Sequence, residues 1–389
     1  MDIELSQKQK EILDAILEWQ KRPSNQYLTL GGYAGTGKTT LLGYFNEHIH
    51  LTNNKIKVAF CTFTGKASTV LSRKLRDVNA VKPNDYIGTI HKLIYVPETD
   101  DDGEIICWKK LEKKNFKYDL IVIDEASMVS RDIWNDLLSY DKPILAVGDH
   151  GQLPPVGDTF NLMQNPMLRL EEIYRQEQDN PIIKLSEIAR KYGEIPAREF
   201  SNTVKKYPRD YEDLQSEVGD LLSSYNDNTL VLVGYNSTRI LLNNEIRGLL
   251  EFETPNPDIG DRVICLKNNS NERIYNGMIG QIQSIEEGDS LDGVKIYNAR
   301  IAFEDEVNEY IGPIAAEQFN QKELLRIQSH VINFFDFGYA ITVHKAQGSQ
   351  ADRVILFEER FPRMDDDTWR RWLYTAVTRA VSELYIIAR

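Results

Sequence analysis

Short, unbroken apolar runs recur along the chain, each closing on a small or acidic turn. Tyr27-Leu28-Thr29-Leu30, Lys57-Val58-Ala59-Phe60-Cys61-Thr62-Phe63, Leu120-Ile121-Val122-Ile123, Ile144-Leu145-Ala146-Val147 and Thr229-Leu230-Val231-Leu232-Val233 are of this kind. Runs without alternation predict strands buried on both faces, the pattern of a parallel sheet covered by helices. Helical spacing fills the intervals. Ile12, Leu13, Ile16 and Leu17 follow Ser6, an N-cap residue, and Thr40 to His50, Ser68 to Leu75 and Trp369 to Val377 read as further helices. A polar, charged stretch after Gln176 reads as helical to about residue 225. Strands resume at Phe337, over Arg353 to Phe357 and over Glu383 to Ala388.

Two stretches break this α/β rhythm. Ile94-Tyr95-Val96 and Ile105-Ile106-Cys107-Trp108 flank an acidic segment ending in Asp102-Gly103, which predicts a β-hairpin over 94–117. Residues 256–330 carry short alternating strands between Gly, Asn and Asp turns, which predicts a small β-barrel inserted in the second domain. The first domain then spans 1–93 and 118–165, and the second 166–255 and 331–389.

The chemistry concentrates at strand ends. Gly32-Tyr33-Ala34-Gly35-Thr36-Gly37-Lys38-Thr39-Thr40 fits the phosphate-binding loop G-x-x-x-x-G-K-[ST], between a strand and a helix. Its glycines let successive N–H groups face one anion, and the helix adds its positive end. Lys38 is placed for the β- and γ-phosphates of ATP, and the Thr39 hydroxyl for Mg²⁺. Asp124 and Glu125 close another buried strand. Asp124 suits Mg²⁺ coordination and Glu125 suits deprotonation of an attacking water. Strand alternation would put the two on different faces. Gln152 sits after the Ile144 strand, where it can sense the γ-phosphate. Gln9, with Gln7 next in order, is a candidate adenine reader, the alternative being an exposed polar helix residue. Thr64 and Lys66, then Thr89 and His91, occupy loops suited to a phosphate. Phe63 can stack on a base, and Tyr95 or Trp108 would carry any nucleic-acid contact of the hairpin, whose tip is acidic.

Charge changes the picture little. Lys and Arg total 46 against 59 Asp and Glu, a net charge of −13, which disfavours a globally basic nucleic-acid binder but not a local basic track. No apolar run suits a membrane span, and the acidic N-terminus is no secretory signal. The three cysteines lie far apart, without zinc spacing, which fits a cytoplasmic protein.

The ordered motif set resembles that of superfamily 1 helicases, in the RecD-like and Dda-like 5′-to-3′ branch. It comprises Gln9, Gly32 to Thr40, Thr64-Gly65-Lys66-Ala67, Thr89-Ile90-His91, Asp124-Glu125-Ala126-Ser127, Gly148-Asp149 with Gln152-Leu153-Pro154-Pro155-Val156, Tyr174-Arg175-Gln176, Thr342-Val343-His344-Lys345-Ala346-Gln347-Gly348 and Tyr374-Thr375-Ala376-Val377-Thr378-Arg379. The resemblance implies two RecA-like domains with ATP between them, the hairpin as a strand-separating pin and the inserted barrel as SH3-like. It implies a catalytic role for Arg175 and Arg379, nucleotide contact at Gly348, and DNA contact at Thr64, Lys66, His91, Asn236, Thr342, His344 and Lys345. The implied partners are single-stranded DNA and a duplex with a 5′ tail, together with replication or repair proteins, for a minimal monomeric motor. Phe63 stands where the family often has proline. A nucleotide-switched ATPase without unwinding, or an RNA helicase, is the alternative, since backbone contacts alone do not tell DNA from RNA.

Overall fold

The computed structural model describes residues 5–77, 80–99, 105–154, 160–173, 179–269, 272, 274, 276–291, 293–304, 309–327 and 331–388. It divides into two units, 1–187 and 188–389.

The first unit runs α1 (Gln7–Lys21), β1 (Tyr27–Gly32), α2 (Lys38–Thr52), β2 (Val58–Thr62), α3 (Gly65–Asp77), β3 (Tyr86–Thr89), α4 (Ile90–Ile94), β4 (Tyr95–Thr99), β5 (Ile105–Lys110), β6 (Leu120–Ile123), α5 (Arg131–Leu138), β7 (Ile144–Gly148) and β8 (Leu168–Leu170), with α6 (Pro181–Tyr192) crossing the boundary. The parallel sheet has the order β3-β2-β6-β7-β1-β8. β2, β6 and β7 are buried along their whole length, as unbroken apolar runs require. One apolar layer joins Ile16, Phe45 and Leu75 to one face of the sheet. The other joins Ile90, Trp134 and Tyr140 to the opposite face. β8 pairs with β1 through Leu30↔Leu168, so this sheet keeps a strand beyond residue 165. β4 and β5 pair antiparallel from Tyr95↔Lys110 to Thr99↔Ile105, and the acidic tip at 100–104 lies outside the described residues.

The second unit continues with β9 (Glu199–Ser201), β10 (Val204–Tyr207), α7 (Leu214–Ser223), β11 (Thr229–Val233), α8 (Asn236–Leu249), β12 (Arg262–Cys265), β13 (Ile279–Leu291), β14 (Val294–Phe303), β15 (Glu309–Ala315), β16 (Phe335–Phe337), β17 (Ala340–Thr342), β18 (Ala351–Glu358), α9 (Asp366–Val377) and β19 (Ala380–Ala388). Its main sheet has the order β17-β11-β18-β19-β10-β9, and only β9 pairs antiparallel. β9 and β10 correct the helical reading of this stretch. Val204 and Lys206 face inward and Lys205 and Tyr207 lean outward, a period of two that the lysines obscure. Lys206 reaches Glu358 at 2.5 Å, which lets a lysine occupy an inward position.

Between α8 and β17 an antiparallel sheet has the order β15-β14-β13-β12-β16. It extends past residue 330, because Phe335 to Phe337 pairs with β12. α8 anchors it through a polar stripe at four-residue spacing. Arg239 bonds Asp336 at 2.5 Å, Asn243 bonds the Phe337 and Ala340 carbonyls, and Arg247 grips Asp261 through two bonds of 2.8 and 2.9 Å. No helix among the described residues is long and apolar enough to cross a membrane.

Candidate functional site

The first sheet sets the geometry. β7 lies between β6 and β1, so the loop after it sits between the phosphate loop and Asp124-Glu125. Gly35 and Gly37 adopt φ of 75° and 81°, which a side chain would resist. A Cβ on Gly32 would meet Thr36 Oγ1 at 2.9 Å and Lys38 Cγ at 3.0 Å, so the loop needs glycine there to close. The Thr36 hydroxyl donates to the Tyr33 carbonyl at 2.8 Å and ties the loop across its own turn. Lys38 Nζ donates to the Gly32 and Tyr33 carbonyls at 2.8 and 2.9 Å, which parks the amine inside the loop. Ala34, Thr39 and Thr40 are half-buried, the two threonines in the first turn of α2.

Gln9 belongs to this site by contact. Its Oε1 accepts from Ser6 N at 2.9 Å as part of the α1 capping box, and its Nε2 donates to the Thr36 carbonyl at 3.1 Å. Both ends of the amide therefore engage the protein.

The carboxylates are arranged by a turn and not by strand alternation. β6 ends at Ile123, Glu125 takes φ 54° in the left-handed region, and its N–H donates to Asp124 Oδ1 at 3.0 Å. A non-glycine residue there stores strain of about 1 kcal/mol or more. Burial raises the Asp124 carboxyl above the ordinary range, against the Lys38 charge, the Glu125 N–H and the Lys74 charge. Asp149 accepts from Gly151 N at 2.9 Å and from Gln152 Nε2 at 3.5 Å, which draws the Gln152 side chain back toward β7. His150, which no sequence motif singles out, joins the loop from the end of β7. Its ring lies 4.2 Å from that of Tyr33, with Nε2 3.5 Å from Glu171, so it braces the phosphate loop. Burial lowers its pKa.

The neighbouring strand ends carry the candidate strand-binding residues. Thr64 Oγ1 accepts from Ala67 N, and Thr89 Oγ1 accepts from Lys92 N, both at 3.3 Å, so each hydroxyl caps the helix that follows. Phe63, His91 and Tyr95 come together as a row, with ring centroids at 5.7 and 5.9 Å. Burial lowers the His91 pKa to about 4, so the ring is neutral near pH 7. Tyr95 OH donates to Asp136 at 2.6 Å, and Lys110 pairs with the same carboxylate at 2.9 Å, which steadies the hairpin base. Trp108 lies two rungs up, opposite Pro97, and is half-buried. Lys66 is in the first turn of α3. Tyr174, Arg175, Gln176, Pro155 and Val156 lie outside the described residues.

In the second unit the segment after β17 is a tight turn, in which Lys345 N and Ala346 N donate to the Thr342 carbonyl. Gly348 takes φ 75°. Arg379, at the end of α9, donates to the Ser349 carbonyl at 3.1 Å and to the Thr375 carbonyl at 3.0 Å, so it is drawn beside Gly348. Burial lowers the pKa of His344, and lowers that of Lys345 to about 8 with help from the Arg239 charge. Asn236 bonds the Lys322 carbonyl at 2.9 Å and accepts from Arg239. Glu359 was missed from sequence. Its carboxylate accepts from Gly234 N, Tyr235 N and the Thr238 hydroxyl at 2.9, 3.0 and 2.6 Å, and so caps the start of α8 from a distant strand end.

The family model described as AAA domain matches residues 4–203, and the model described as UvrD-like helicase C-terminal domain matches 337–387. The chain belongs to the AAA-domain family, and its sequence is similar to that of superfamily 1 helicases of the RecD type. It is 28% identical over 396 residues to the ATP-dependent RecD2 DNA helicase of Deinococcus radiodurans, covering 97% of this chain and 48% of that protein. It is 27% identical over 156 residues to the ATP-dependent DNA helicase dda of Enterobacteria phage T4, covering 39% of this chain and 33% of the relative. The chain thus spans about half or less of the length of these relatives. A Pif1 helicase structure concerned with DNA unwinding at forked double-stranded DNA superposes with a TM-score of 0.51 at 20% identity, over 99% of this chain and 92% of that one. Bacteroides Pif1 in complex with ADP-AlF3 and single-stranded DNA gives 0.50 at 19% identity, with the same coverage.

Proposed function

We propose that this chain is an ATP-driven motor that moves 5′-to-3′ on single-stranded DNA and separates duplex strands. The observation that carries the reading is that one sheet edge holds both chemistries. Asp124 N donates to the Cys61 carbonyl at 2.9 Å, so the candidate metal-binding carboxylate sits one strand from Phe63 and Thr64.

The residues fit ATP and Mg²⁺. The loop is an anion cradle that a Cβ on Gly32 would crowd, a Cβ on Gly37 would strike the Gln9 amide at 2.6 Å, and Thr39 and Asp124 are hard oxygen donors. Bound Mg²⁺ supplies charge neutralisation at the β- and γ-phosphates. Lys38 would leave the Gly32 and Tyr33 carbonyls for the phosphates. Glu125 would accept a proton from the attacking water, with Gln152 beside it reporting the γ-phosphate. Arg379, and Arg175 with it, would answer charge on the transferring phosphoryl group. The row Phe63–His91–Tyr95 offers bases a neutral stacking surface, while the loops that follow β2, β3 and β17 offer phosphate donors. A shift at β6 on hydrolysis would reach β2 through their shared ladder, which supports coupling of turnover to strand movement.

ATP hydrolysis measured with and without single-stranded DNA tests this reading, with single-stranded RNA as a second arm. Strong stimulation by DNA supports the motor. Stimulation by RNA alone would replace the substrate, and none by either would leave a nucleotide switch.

A further inference from the structure

The sheets of the two units end alike. In the first unit the edge strand β3 runs into Thr89-Ile90-His91, and β2 beside it runs into Phe63. In the second the edge strand β17 runs into Thr342-Val343-His344, and β11 beside it runs into Gly234-Tyr235. Both pairs are parallel, with Thr62↔Thr89 and Val233↔Thr342 as their last partners. Val343 N donates to the Val233 carbonyl at 3.1 Å, so the segments after β11 and β17 leave the carboxyl edge of their sheet side by side. Ligands of such sheets bind at that edge. In the first unit the edge carries the aromatic row Phe63–His91–Tyr95.

Glu359 decides where Tyr235 goes. β18 flanks β11 on its other side and ends at Glu358. The buried Glu359 carboxylate accepts from Gly234 N and Tyr235 N at 2.9 and 3.0 Å, which draws the turn toward β18. A Cβ on Gly234 would lie 2.8 Å from the Glu359 carbonyl oxygen, so the close approach needs glycine. Tyr235 OH donates to the Arg360 carbonyl at 3.1 Å. Its ring meets that of Phe361 edge to face, with centroids 4.6 Å apart and planes at 85°. Both side chains are half-buried. An edge-to-face contact covers one face of one ring, and the other faces lie outside the pair. The adjacent Asn236 amide is engaged at each end, donating to the Lys322 carbonyl at 2.9 Å and accepting from Arg239 at 3.2 Å. What this turn offers a ligand is therefore the ring pair. Rings held in place suit the flat face of a base, and only an unpaired strand exposes that face.

We propose that Tyr235 and Phe361 form a base-stacking platform of the second unit, aimed by Glu359, for single-stranded DNA at the loops after β11 and β17. The proposal rests on the DNA reading given above.

Fluorescence anisotropy of the full chain tests it with two strands of equal length and charge, oligo-dT and a fully abasic strand, at low salt. Tyr235→Leu is expected to bind oligo-dT about tenfold more weakly, the loss of about one stacked base. Its affinity for the abasic strand should stay within about twofold of wild type, and its slope of log affinity against log salt should not change, because no phosphate contact is removed. Tyr235→Phe keeps the ring and loses only the bond to the Arg360 carbonyl, so it should bind oligo-dT as wild type does. If Tyr235→Leu fails to fold, Phe361→Leu carries the same prediction. Equal losses on both strands, or no loss on either, would overturn the platform. A wild-type chain that binds neither strand would instead overturn the function on which it rests.

Discussion

Asp124 N donates to the Cys61 carbonyl at 2.9 Å, a bond at the end of the β2–β6 ladder that joins the nucleotide chemistry to the strand-binding edge. Cys61 and Thr62 close β2 and lead into Phe63 and Thr64, while Asp124 precedes the strained Glu125 after β6. A displacement of either strand end is felt by the other, because the two backbones share hydrogen bonds from Val58↔Leu120 to Cys61↔Ile123.

Lys38→Ala should lower ATP hydrolysis by at least about 10²-fold, since it removes a positioned charge at the phosphates. It also takes a donor from the Gly32 and Tyr33 carbonyls, at a cost of about 1 kcal/mol in the nucleotide-free protein. Steady-state hydrolysis beside a urea melt separates the two effects. Full activity in this variant would sink the phosphate-loop assignment.

Gln9→Ala should cost about 1 kcal/mol of stability without nucleotide, because half of the α1 capping box and the strut to Thr36 disappear together. A Gln9 that acts only on adenine would leave the melt unchanged and alter only discrimination between ATP and GTP.

Arg379→Ala should reduce kcat by about 10³-fold or more with a smaller change in KM, the signature of a group acting on the transition state. Arg379→Lys keeps a charge but loses the planar fork that reaches the Ser349 and Thr375 carbonyls, so it should restore little. An effect confined to KM would assign Arg379 to ground-state binding.

His91 makes stability depend on pH. Its folded pKa, near 4, lies below the ordinary value of 6.5, so the unfolded chain binds the extra proton first. The contribution is complete above about pH 6.5 and is lost as pH falls toward 4. Melts of wild type and His91→Gln across that window should differ in slope, with the variant flatter. Parallel curves would show that burial does not hold the ring neutral.

Asp261→Ala should destabilise the second unit by about 3–5 kcal/mol, since it leaves the Arg247 guanidinium buried without its carboxylate. The double variant Arg247→Met/Asp261→Leu should recover part of that loss, as measured by urea denaturation.

The phosphate loop and the carboxylates were legible in the sequence because each is a linear motif at the end of an unbroken apolar strand. The same applies to β2, β6, β7 and β11, whose runs are buried on both faces, and to β1 from Thr29 onward. β10 was hidden because Lys205 and Lys206 mask its alternation and Glu358, far along the chain, answers the inward lysine. The row Phe63–His91–Tyr95 joins residues that only the adjacency of β2 and β3 brings together. Glu359 capping α8 depends in the same way on β18 lying beside β11. The orientation of Glu125 follows from a left-handed residue, where strand alternation does not apply.

Unwinding of duplexes that carry a 5′ or a 3′ single-stranded tail, followed alongside ATP hydrolysis, tests the motor most directly. Strand-stimulated hydrolysis with separation from the 5′ tail alone is the predicted result. Hydrolysis indifferent to the strand, or separation from the 3′ tail alone, would contradict it.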